Sequence, residues 1–454
     1  MKVDMSENKW FGTDGGRGIA NEFPMTADFA FKLAAAVSSL VCVNHKKVAV
    51  AKDTRVSGDM LEAALVAGFT SSGVDVVRLG VVPTPAVTTF VADLDVDMAV
   101  MITASHNPYF DNGIKLIASD GDKFSDEITS KIENLIEKNE FVFDKDKLGR
   151  VSDSSIKQKY MDRAYTMFQE ENPLSGMKVV IDCANGCFFD IFPEILSRLG
   201  AEIVPLGTMP DGYNINRDCG SQHVETMLQK VRETGADVGI AVDGDGDRIK
   251  ISDEKGNLIK SEQLMAFLVK DMEENGENKG RGFASTKLSN TALERYITQE
   301  LKLPYYSTGV GERLVIKALK EHGGVVGGEE SGHIVLLEYA KSGDAMMTAL
   351  RFLKGAKSCH KKVSEIFPLF DEDFLYFENF KASSREQVKK IAANAELQDL
   401  VNELNRNISG SGRVVIHPSG TEPKIRVWVC GADAQTVKNY GNLLLEKIAQ
   451  IAQI

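Results

Sequence analysis

Short runs of apolar, mostly β-branched residues recur along this chain, and each ends abruptly in a polar loop. Helix-like amphipathic stretches follow these loops. Continuous apolar runs of this kind are typical of strands buried on both faces of a parallel sheet, with helices as the crossover connections. The four clearest runs are KKVAVAKDTR (46–55), DMAVMITASHNP (97–108), MKVVIDCANG (177–186) and ADVGIAVDGDGDR (236–248). The pattern therefore predicts several α/β units.

The polar loops all fall where the predicted strands end. Ligands of parallel sheets bind beyond the carboxyl ends of the strands, so we expect these loops to face a shared cleft. Shifts in composition and pattern predict four domains, at residues 1–152, 153–255, 256–368 and 369–454. The last domain begins where the pattern changes to the alternating FLYFENF and a lysine-rich helix.

Composition narrows the choice of partner and compartment. The 454 residues include 53 basic and 65 acidic ones, a net charge of -12, which disfavours a nucleic-acid partner because such a partner needs a basic face. A phosphorylated small molecule remains open, because a few local cations suffice to hold it. No apolar run approaches the length that crosses a bilayer, and the N-terminus lacks a signal-peptide core. Six scattered cysteines fit a reducing compartment, so we expect a cytoplasmic protein without membrane contact.

The stretch DGDGDR (243–248) carries the most specific chemistry. Asp243, Asp245 and Asp247 alternate with glycine, so their carboxylates can turn toward one hard cation. A calcium loop is the main alternative, and Glu254 does stand at its twelfth place, but Arg248 occupies the sixth place, where that loop needs glycine. A solvated acidic turn is the second alternative. We expect Mg²⁺, with a phosphate oxygen completing its ligands.

Ser105 lies in MITASHNPYFDNGIK (101–115), next to His106. It lacks the surroundings of a GxSxG hydrolase nucleophile, and adjacent side chains diverge in an extended chain, so we expect His106 to be badly placed as its base. Two interpretations stay open from the residues alone. Ser105 is either the N-cap of a helix or a hydroxyl that carries a phosphoryl group beside the metal.

Two further loops offer groups for a sugar phosphate. In HPSGTEPKIRV (417–427), Ser419, Gly420, Thr421 and Arg426 are a candidate phosphate cradle, with a plain surface turn as the alternative. In GGEESGHI (327–334), Glu329 and Ser331 can bind vicinal hydroxyls, whereas the default interpretation is a structural turn with a capping carboxylate.

Together, TASHNP, DGDGDR, GEESGH and PSGTEPKIRV resemble, in order and separation, the four signature loops of the α-D-phosphohexomutase family. The resemblance covers essentially the whole chain. It implies an α/β protein of four domains around a central cleft. The first three would be mixed-sheet α/β units and the last a smaller α+β domain related to the TATA-box-binding protein.

The resemblance also implies a reaction and a set of roles. A phosphoserine at Ser105 would transfer its phosphoryl group to a hexose phosphate, giving a 1,6-bisphosphate that also serves as primer. Mg²⁺ would bind Ser105 and the three aspartates. The remaining catalytic candidates are Lys115 and His333 for proton transfer, Arg17 and Arg248 for the phosphate, and His106. Substrate would contact Glu329, Ser331, Lys287, His417, Ser419, Gly420, Thr421 and Arg426.

Within the family, WFGTDGGRG, KDTRVSG, VPTPAV and YFDNGIK look most like the branch that converts glucosamine 6-phosphate to glucosamine 1-phosphate. That branch forms homodimers through its first domain, which nothing in these residues shows independently. Three departures leave the sugar open: His417 replaces the usual arginine, Lys287 replaces methionine, and Gly309 and Glu312 replace lysine and aspartate. The alternatives are a phosphomannomutase/phosphoglucomutase, a non-catalytic sugar-phosphate sensor and a metal-dependent phosphatase.

Overall fold

The computed structural model describes residues 10–12, 15–141, 143, 145–419 and 423–453. Within these ranges, no helix is both long enough and apolar enough to cross a membrane. The chain divides into two compact units, the first formed by residues up to 260 together with 331–367, and the second by 261–330 together with 368–454.

The strands are β1 Gly16–Ile19, β2 Lys47–Lys52, β3 Asp75–Val81, β4 Met98–Ile102, β5 Asp111–Ala118, β6 Val151–Asp153, β7 Lys178–Asp182, β8 Glu202–Leu206, β9 Val238–Val242, β10 Ile249–Ser252, β11 Leu258–Ile259, β12 Phe283–Thr286, β13 Tyr305–Thr308, β14 Val326–Gly328, β15 Ile334–Leu336, β16 Phe374–Lys381, β17 Gly412–Pro418 and β18 Lys424–Gly431. The helices are α1 Ala27–Leu40, α2 Ser57–Ser71, α3 Thr84–Phe90, α4 Asp126–Lys138, α5 Lys157–Tyr165, α6 Ile191–Arg198, α7 Glu225–Thr234, α8 Ser261–Glu274, α9 Thr291–Arg295, α10 Glu312–His322, α11 Ala345–Ser358, α12 Val363–Ile366, α13 Arg385–Ala392, α14 Ala395–Asn407 and α15 Ala434–Ala452.

The first unit contains two mixed sheets. One has the strand order β1-β5-β4-β2-β3-β6, and the other has the order β11-β10-β9-β7-β8. All four apolar runs form the predicted strands, namely β2, β4, β7 and β9, and every residue of β4 and β9 is buried. Within each sheet the two predicted strands are parallel neighbours. Their polar loops therefore emerge at the carboxyl edge of each sheet, as the sequence predicts.

Helices α1 and α2 cover the first sheet and approach each other closely. The alanine-rich stretch of α1 allows this approach, and Gly68 of α2 lies against it. A Cβ at Gly68 would come within 2.5 Å of the Phe31 carbonyl oxygen, so glycine is required there by space. The helix pair buries a core that includes Phe29, Leu33 and Leu65 beneath it.

The second unit contains parallel strands and a separate antiparallel sheet. Strand β12 pairs in parallel with β13 and with β14. The antiparallel sheet has the order β16-β18-β17, and helices α13, α14 and α15 pack on it. The alternating FLYFENF segment forms β16, whose edge position leaves Phe374, Leu375 and Phe377 exposed. The predicted small C-terminal α+β domain is thus confirmed, while the domain boundaries at 152, 255 and 368 stay predictions.

The buried side chain of Asp344 caps the N-terminus of α11. Asp344 accepts the backbone N–H of Met347 at 2.9 Å, and the Tyr160 hydroxyl donates to both of its carboxylate oxygens at 2.8 Å. Burial raises the pKa of Asp344 to about 6, so the acid stays protonated in the folded protein at pH values where it is already ionised in the unfolded chain.

We therefore expect the folded state to lose stability as the pH rises from 4 to 7, because Asp344 must then ionise while buried. Relative to Asp344→Asn, the free energy of unfolding of the wild type should fall by about 2 kcal/mol over this range. Urea unfolding of both proteins at several pH values measures this difference. The exposed helix cap Asp433, whose pKa is lowered by Thr436, should show the opposite trend in Asp433→Asn. A pH-independent difference for Asp344→Asn contradicts the account.

Candidate active site

Ser105 lies in the loop that follows β4 and is 1% exposed. Its Oγ donates a hydrogen bond to the Asp243 carboxylate at 2.7 Å, across 138 residues of sequence. The bond joins the loop of the first sheet to the loop of the second. The two stretches that sequence analysis singled out as chemically most specific therefore meet in one site of the first unit.

The helix-cap interpretation of Ser105 is wrong. No helix begins at Ser105, since the chain turns there and continues into β5. Ser105 instead adopts a left-handed backbone with φ of 56°. The next helix is α4, and its N-cap is Ser125.

The expected divergence of Ser105 and His106 is also wrong. Their side chains meet, with the Ser105 Oγ 3.2 Å from the His106 Nδ1. The left-handed φ of Ser105 is the reason, because the argument for divergence assumed an extended chain. Burial, followed by the charges of Arg248 and Arg17, lowers the pKa of His106 to about 3. The imidazole is therefore neutral near pH 7.

The aspartate loop lies between the antiparallel strands β9 and β10. Asp243 and Asp245 are fully buried and Asp247 is 7% exposed, so the solvated-turn interpretation is wrong. Ligand oxygens of the three aspartates lie within 4.8 Å of one another. One oxygen of Asp243 accepts the backbone N–H groups of Gly246, Asp247 and Arg248, each at 3.1 Å, which fixes the loop.

The calcium-loop alternative fails on Glu254. This carboxylate accepts the backbone N–H and the hydroxyl of Ser364 instead of joining the three aspartates. The segment before the loop is the strand β9, whereas a calcium loop of that kind begins at the end of a helix.

The surroundings shift the pKa values of Asp243 and Asp247 in opposite directions. Burial and the charges of Asp247 and Asp245 hold the pKa of Asp243 well above its ordinary value. For Asp247, burial alone would raise the pKa, but Lys115, His333 and Arg248 outweigh it and hold the pKa well below the ordinary value. The nearby cations therefore stabilise the Asp247 carboxylate more than the Asp243 carboxylate.

Lys115 lies on β5 and is 7% exposed. Its Nζ donates to Asp245 at 2.6 Å and to Asp247 at 3.1 Å. The lysine side chain therefore ties β5 to two carboxylates of the aspartate loop.

The other candidate cations of the first unit gather at the same loop. His333 Nδ1 lies 3.6 Å from Asp247, and Arg248 Nε lies 3.9 Å from the same carboxylate. Arg17 is on β1, opposite Gly113 of β5, and its charge reaches His106. Lys115, His333 and Arg248 therefore lie at the aspartate loop and Arg17 acts on the neighbouring His106, so an anionic group can be neutralised in this site.

Sequence analysis missed Thr84, which supports the aspartate loop. Its hydroxyl donates to the Asp245 carboxylate at 2.6 Å, and its backbone N–H donates to the Asp245 carbonyl at 3.0 Å. The stretch VPTPAV was noted only as typical of one branch of the family. The available signal was a threonine shortly after a strand-forming segment, Asp75–Val81, which sequence analysis did not single out.

Sequence analysis also missed the side chains that hold the serine loop. Arg55, in the loop after β2, and Asn216, in the loop after β8, both donate to the Ser105 carbonyl. Thr103 accepts the Ser105 backbone N–H at 2.9 Å. Neither residue could be found from the sequence, because the burial of Arg55 and the contacts of Asn216 appear only in the folded chain.

The second unit gathers the candidate phosphate ligands. His417 of β17 is the cross-strand partner of Arg426 of β18. Burial, then the charges of Arg426 and Lys287, lower the pKa of His417 to about 4. Lys287, which follows β12, is therefore close enough for its charge to act on this imidazole. The histidine is therefore neutral near pH 7, and it could contact an anion only as an N–H donor.

The remaining candidates have mixed outcomes. Glu329 accepts the backbone N–H of Gly311 at 2.9 Å, just before α10, which agrees with the structural-turn interpretation of its loop. The Ser331 hydroxyl is buried without a partner among the described residues. The backbone N–H of Ser419 donates to the Lys424 carbonyl at 2.9 Å. Gly420 and Thr421 lie outside the described residues.

The first unit thus brings a buried hydroxyl, three carboxylates and a lysine into one site, where the hydroxyl bonds Asp243 and the lysine bonds Asp245 and Asp247. Three carboxylates alone would repel, so this arrangement suits a cation. A serine hydroxyl beside such a cation is suited to carry a phosphoryl group, because phosphoryl transfer depends on positioning and charge neutralisation.

Four family models match the chain in consecutive segments. They are the phosphoglucomutase/phosphomannomutase alpha/beta/alpha domain I at residues 8–143, domain II at 158–256, domain III at 260–372 and the C-terminal domain at 379–446. The matches together span most of the chain and account for its four-domain α/β fold.

Curated proteins and solved structures agree with these models. The phosphoglucosamine mutase of Mesorhizobium japonicum is 42% identical over 97% of this chain and 98% of its own length. A phosphoglucomutase/phosphomannomutase family protein of Burkholderia thailandensis has a TM-score of 0.79 at 23% identity, covering 97% of each chain. The N-acetylphosphoglucosamine mutase of Aspergillus fumigatus, solved with GlcNAc-6P and magnesium, has a TM-score of 0.65 at 17% identity over 98% of this chain and 96% of its own. The chain therefore belongs to the phosphoglucomutase/phosphomannomutase family, the α-D-phosphohexomutases.

Proposed function

We propose that the protein is a phosphohexomutase that converts glucosamine 6-phosphate to glucosamine 1-phosphate through a phosphoserine and a 1,6-bisphosphate intermediate. The observation that carries the proposal is the 2.7 Å bond between the Ser105 hydroxyl and Asp243 inside a buried aspartate cluster. The full-length similarity to phosphoglucosamine mutases supports the choice of sugar.

The donor set of the site fits a divalent ion. Asp243, Asp245 and Asp247 would hold Mg²⁺ together with an oxygen of phosphorylated Ser105. The buried Asp245 Oδ1 has no hydrogen-bond partner among the described residues, so it is available as a ligand. The bound ion supplies charge neutralisation on the transferring phosphoryl group.

The chain's own residues would then perform the transfer. The bond between the Ser105 oxygen and phosphorus breaks as the free sugar hydroxyl bonds to phosphorus; the sugar hydroxyl gives its proton to a base, and the Ser105 oxygen takes a proton. After the bisphosphate turns over, the Ser105 hydroxyl bonds to the phosphorus of its other phosphoryl group and gives up its proton, and the leaving sugar oxygen takes a proton. Lys115 and His333 are the proposed proton carriers, and Arg17 and Arg248 hold the phosphate. His106 acts beside them as a neutral hydrogen-bond partner of Ser105.

A further set of residues would bind the rest of the substrate. Glu329 and Ser331 would contact sugar hydroxyls, and the phosphate remote from Ser105 would contact Lys287, His417, Ser419, Gly420, Thr421 and Arg426. The unpaired hydroxyl of Ser331 and the joint charge of Lys287 and Arg426 on His417 support these roles. We also propose a cytoplasmic location and, by similarity, a homodimer.

Lys287 favours a second candidate substrate class. A lysine at this position is closer to phosphomannomutase/phosphoglucomutase enzymes than to the glucosamine branch, and its charge acts on the proposed phosphate site. Mannose and glucose phosphates are therefore the competing substrates.

Turnover under bisphosphate priming tests the function. We expect glucosamine 6-phosphate to have a kcat/KM at least about tenfold above those of glucose and mannose 6-phosphates, which corresponds to about 1.4 kcal/mol of discrimination. Ser105→Ala should abolish turnover and the phosphorylated form seen by intact-mass analysis. A preference for mannose or glucose overturns the choice of sugar. Binding without turnover supports a sensor instead, and net release of inorganic phosphate supports a phosphatase.

Thr84→Val should weaken metal binding by about tenfold, because the Asp245 carboxylate loses the hydroxyl that orients it. Titration with Mn²⁺, followed by electron paramagnetic resonance, measures the affinity without turnover. Thr88→Val is the matched control, since Thr88 lies on the same helix but bonds Pro85 and Ser342. Equal affinities in the wild type and Thr84→Val would show that Thr84 does not orient the ligand.

His417→Arg should lower the KM for the hexose phosphate about fivefold, because it replaces a neutral imidazole by a permanent cation beside Arg426. In the wild type, titration of His417 should leave KM unchanged between pH 6 and 8, since its pKa of about 4 lies below this range. His322→Arg adds the same charge at an exposed helix end and serves as the control. A wild-type KM that rises across pH 6.5 in step with the loss of a charge on His417 contradicts the prediction.

A further inference from the structure

The loop from Ser105 to Asp111 is held by one buried guanidinium. Arg55 is 2% exposed and donates to four backbone carbonyls of this loop. Its Nη2 donates to Ser105 at 3.0 Å and to Asn107 at 2.8 Å, and its Nη1 donates to Asp111 at 3.0 Å and to Pro108. The planar guanidinium holds several carbonyls in fixed directions at once, whereas lysine has fewer donors on a freely rotating group.

A second side chain binds two of the same carbonyls from the opposite sheet. The Asn216 side-chain amide donates to Ser105 at 2.9 Å and to Asn107 at 3.0 Å. Asn216 belongs to the loop after β8, whereas Arg55 follows β2. The serine loop therefore accepts hydrogen bonds from loops of both sheets of the first unit. The Asn216 backbone is fixed in turn, because its N–H donates to Ala184 at 2.9 Å.

The amide side of Ser105 is tied to the same arginine. The Ser105 N–H donates to the Thr103 hydroxyl at 2.9 Å, and that hydroxyl donates to Asp53 at 2.7 Å. Asp53 pairs with the Arg55 Nε at 2.9 Å, and both side chains are fully buried. The peptide groups on both sides of the Ser105 Cα are therefore anchored to one ion pair.

This anchoring opposes a local conformational preference. Ser105 has φ of 56°, and residues other than glycine avoid this region because Cβ approaches the backbone carbonyl. Without the six bonds to the loop carbonyls, the backbone at Ser105 would relax toward the ordinary regions, and Oγ would leave Asp243.

We infer that Arg55 and Asn216 act as one clamp that positions the phosphoryl-carrying hydroxyl, an inference that rests on the proposed mutase function. They are positioning residues, because within the described structure their side chains bond only Asp53 and backbone carbonyls, and neither bonds the Ser105 Oγ. Their loss should slow phosphoryl transfer while leaving sugar-phosphate binding at residues 417–426 largely intact.

Asn216→Leu and Arg55→Lys test the clamp in the full-length protein. Each should lower kcat about 10- to 100-fold, because a displacement of about 1 Å at a reacting atom costs this much, while KM changes less than threefold. The rate at which glucose 1,6-bisphosphate phosphorylates Ser105, followed by intact mass, should fall with kcat. Asn405→Leu is the matched control, since Asn405 also donates its amide to two backbone carbonyls but lies in the second unit.

The double variant distinguishes a clamp from two separate structural residues. Both side chains bind the Ser105 and Asn107 carbonyls. The kcat of the double variant should therefore be at most about threefold below the kcat of the less active single variant. Multiplicative losses, unchanged kcat in folded Asn216→Leu, or an effect confined to KM each overturn the inference. If Arg55→Lys fails to fold, the comparison of Asn216→Leu with Asn405→Leu still decides it. A wild type that neither turns over substrate nor becomes phosphorylated refutes the proposed function itself.

Discussion

The contact between the Ser105 hydroxyl and the Asp243 carboxylate is the interaction on which the rest of the site depends. It joins loops from two sheets that are far apart in sequence, and it places a hydroxyl oxygen at the edge of a buried aspartate cluster. The fold supplies this contact through geometry common to both sheets. Each loop follows the carboxyl end of a fully buried central strand, β4 or β9, and the buried strand fixes the position at which the loop starts.

The cluster is stable only because its charges are balanced. Burying three carboxylates is costly, and the cost is reduced by Lys115, by the neighbouring His333 and Arg248, and by the three backbone N–H groups that bind Asp243. The same requirement for positive charge explains the site's suitability for a metal and a phosphoryl group. Stability and proposed chemistry thus depend on the same residues, since removing an aspartate or Lys115 would unbalance both.

Strands and candidate loops could be predicted because continuous apolar runs, abrupt polar ends and the DGDGDR spacing are local signals. The backbone conformation of Ser105 could not be predicted, because its left-handed φ depends on Arg55 and Asn216, which are distant in sequence. That single dihedral angle reversed the expectation for His106. Thr84 was missed for a related reason, since its partner Asp245 is 161 residues away. The sugar preference remains a proposal, because residue type alone left alternatives at Lys287 and His417.

The central claim is that Ser105 carries the phosphoryl group that moves to the sugar. The most direct measurement mixes isolated phosphorylated protein with one equivalent of glucosamine 6-phosphate and stops the reaction at short times. Intact-mass and sugar-phosphate analysis should show the protein losing its phosphoryl group as the 1,6-bisphosphate appears, before any glucosamine 1-phosphate. Conversion of the sugar while the phosphoserine stays intact, or release of inorganic phosphate in place of the bisphosphate, would contradict the account.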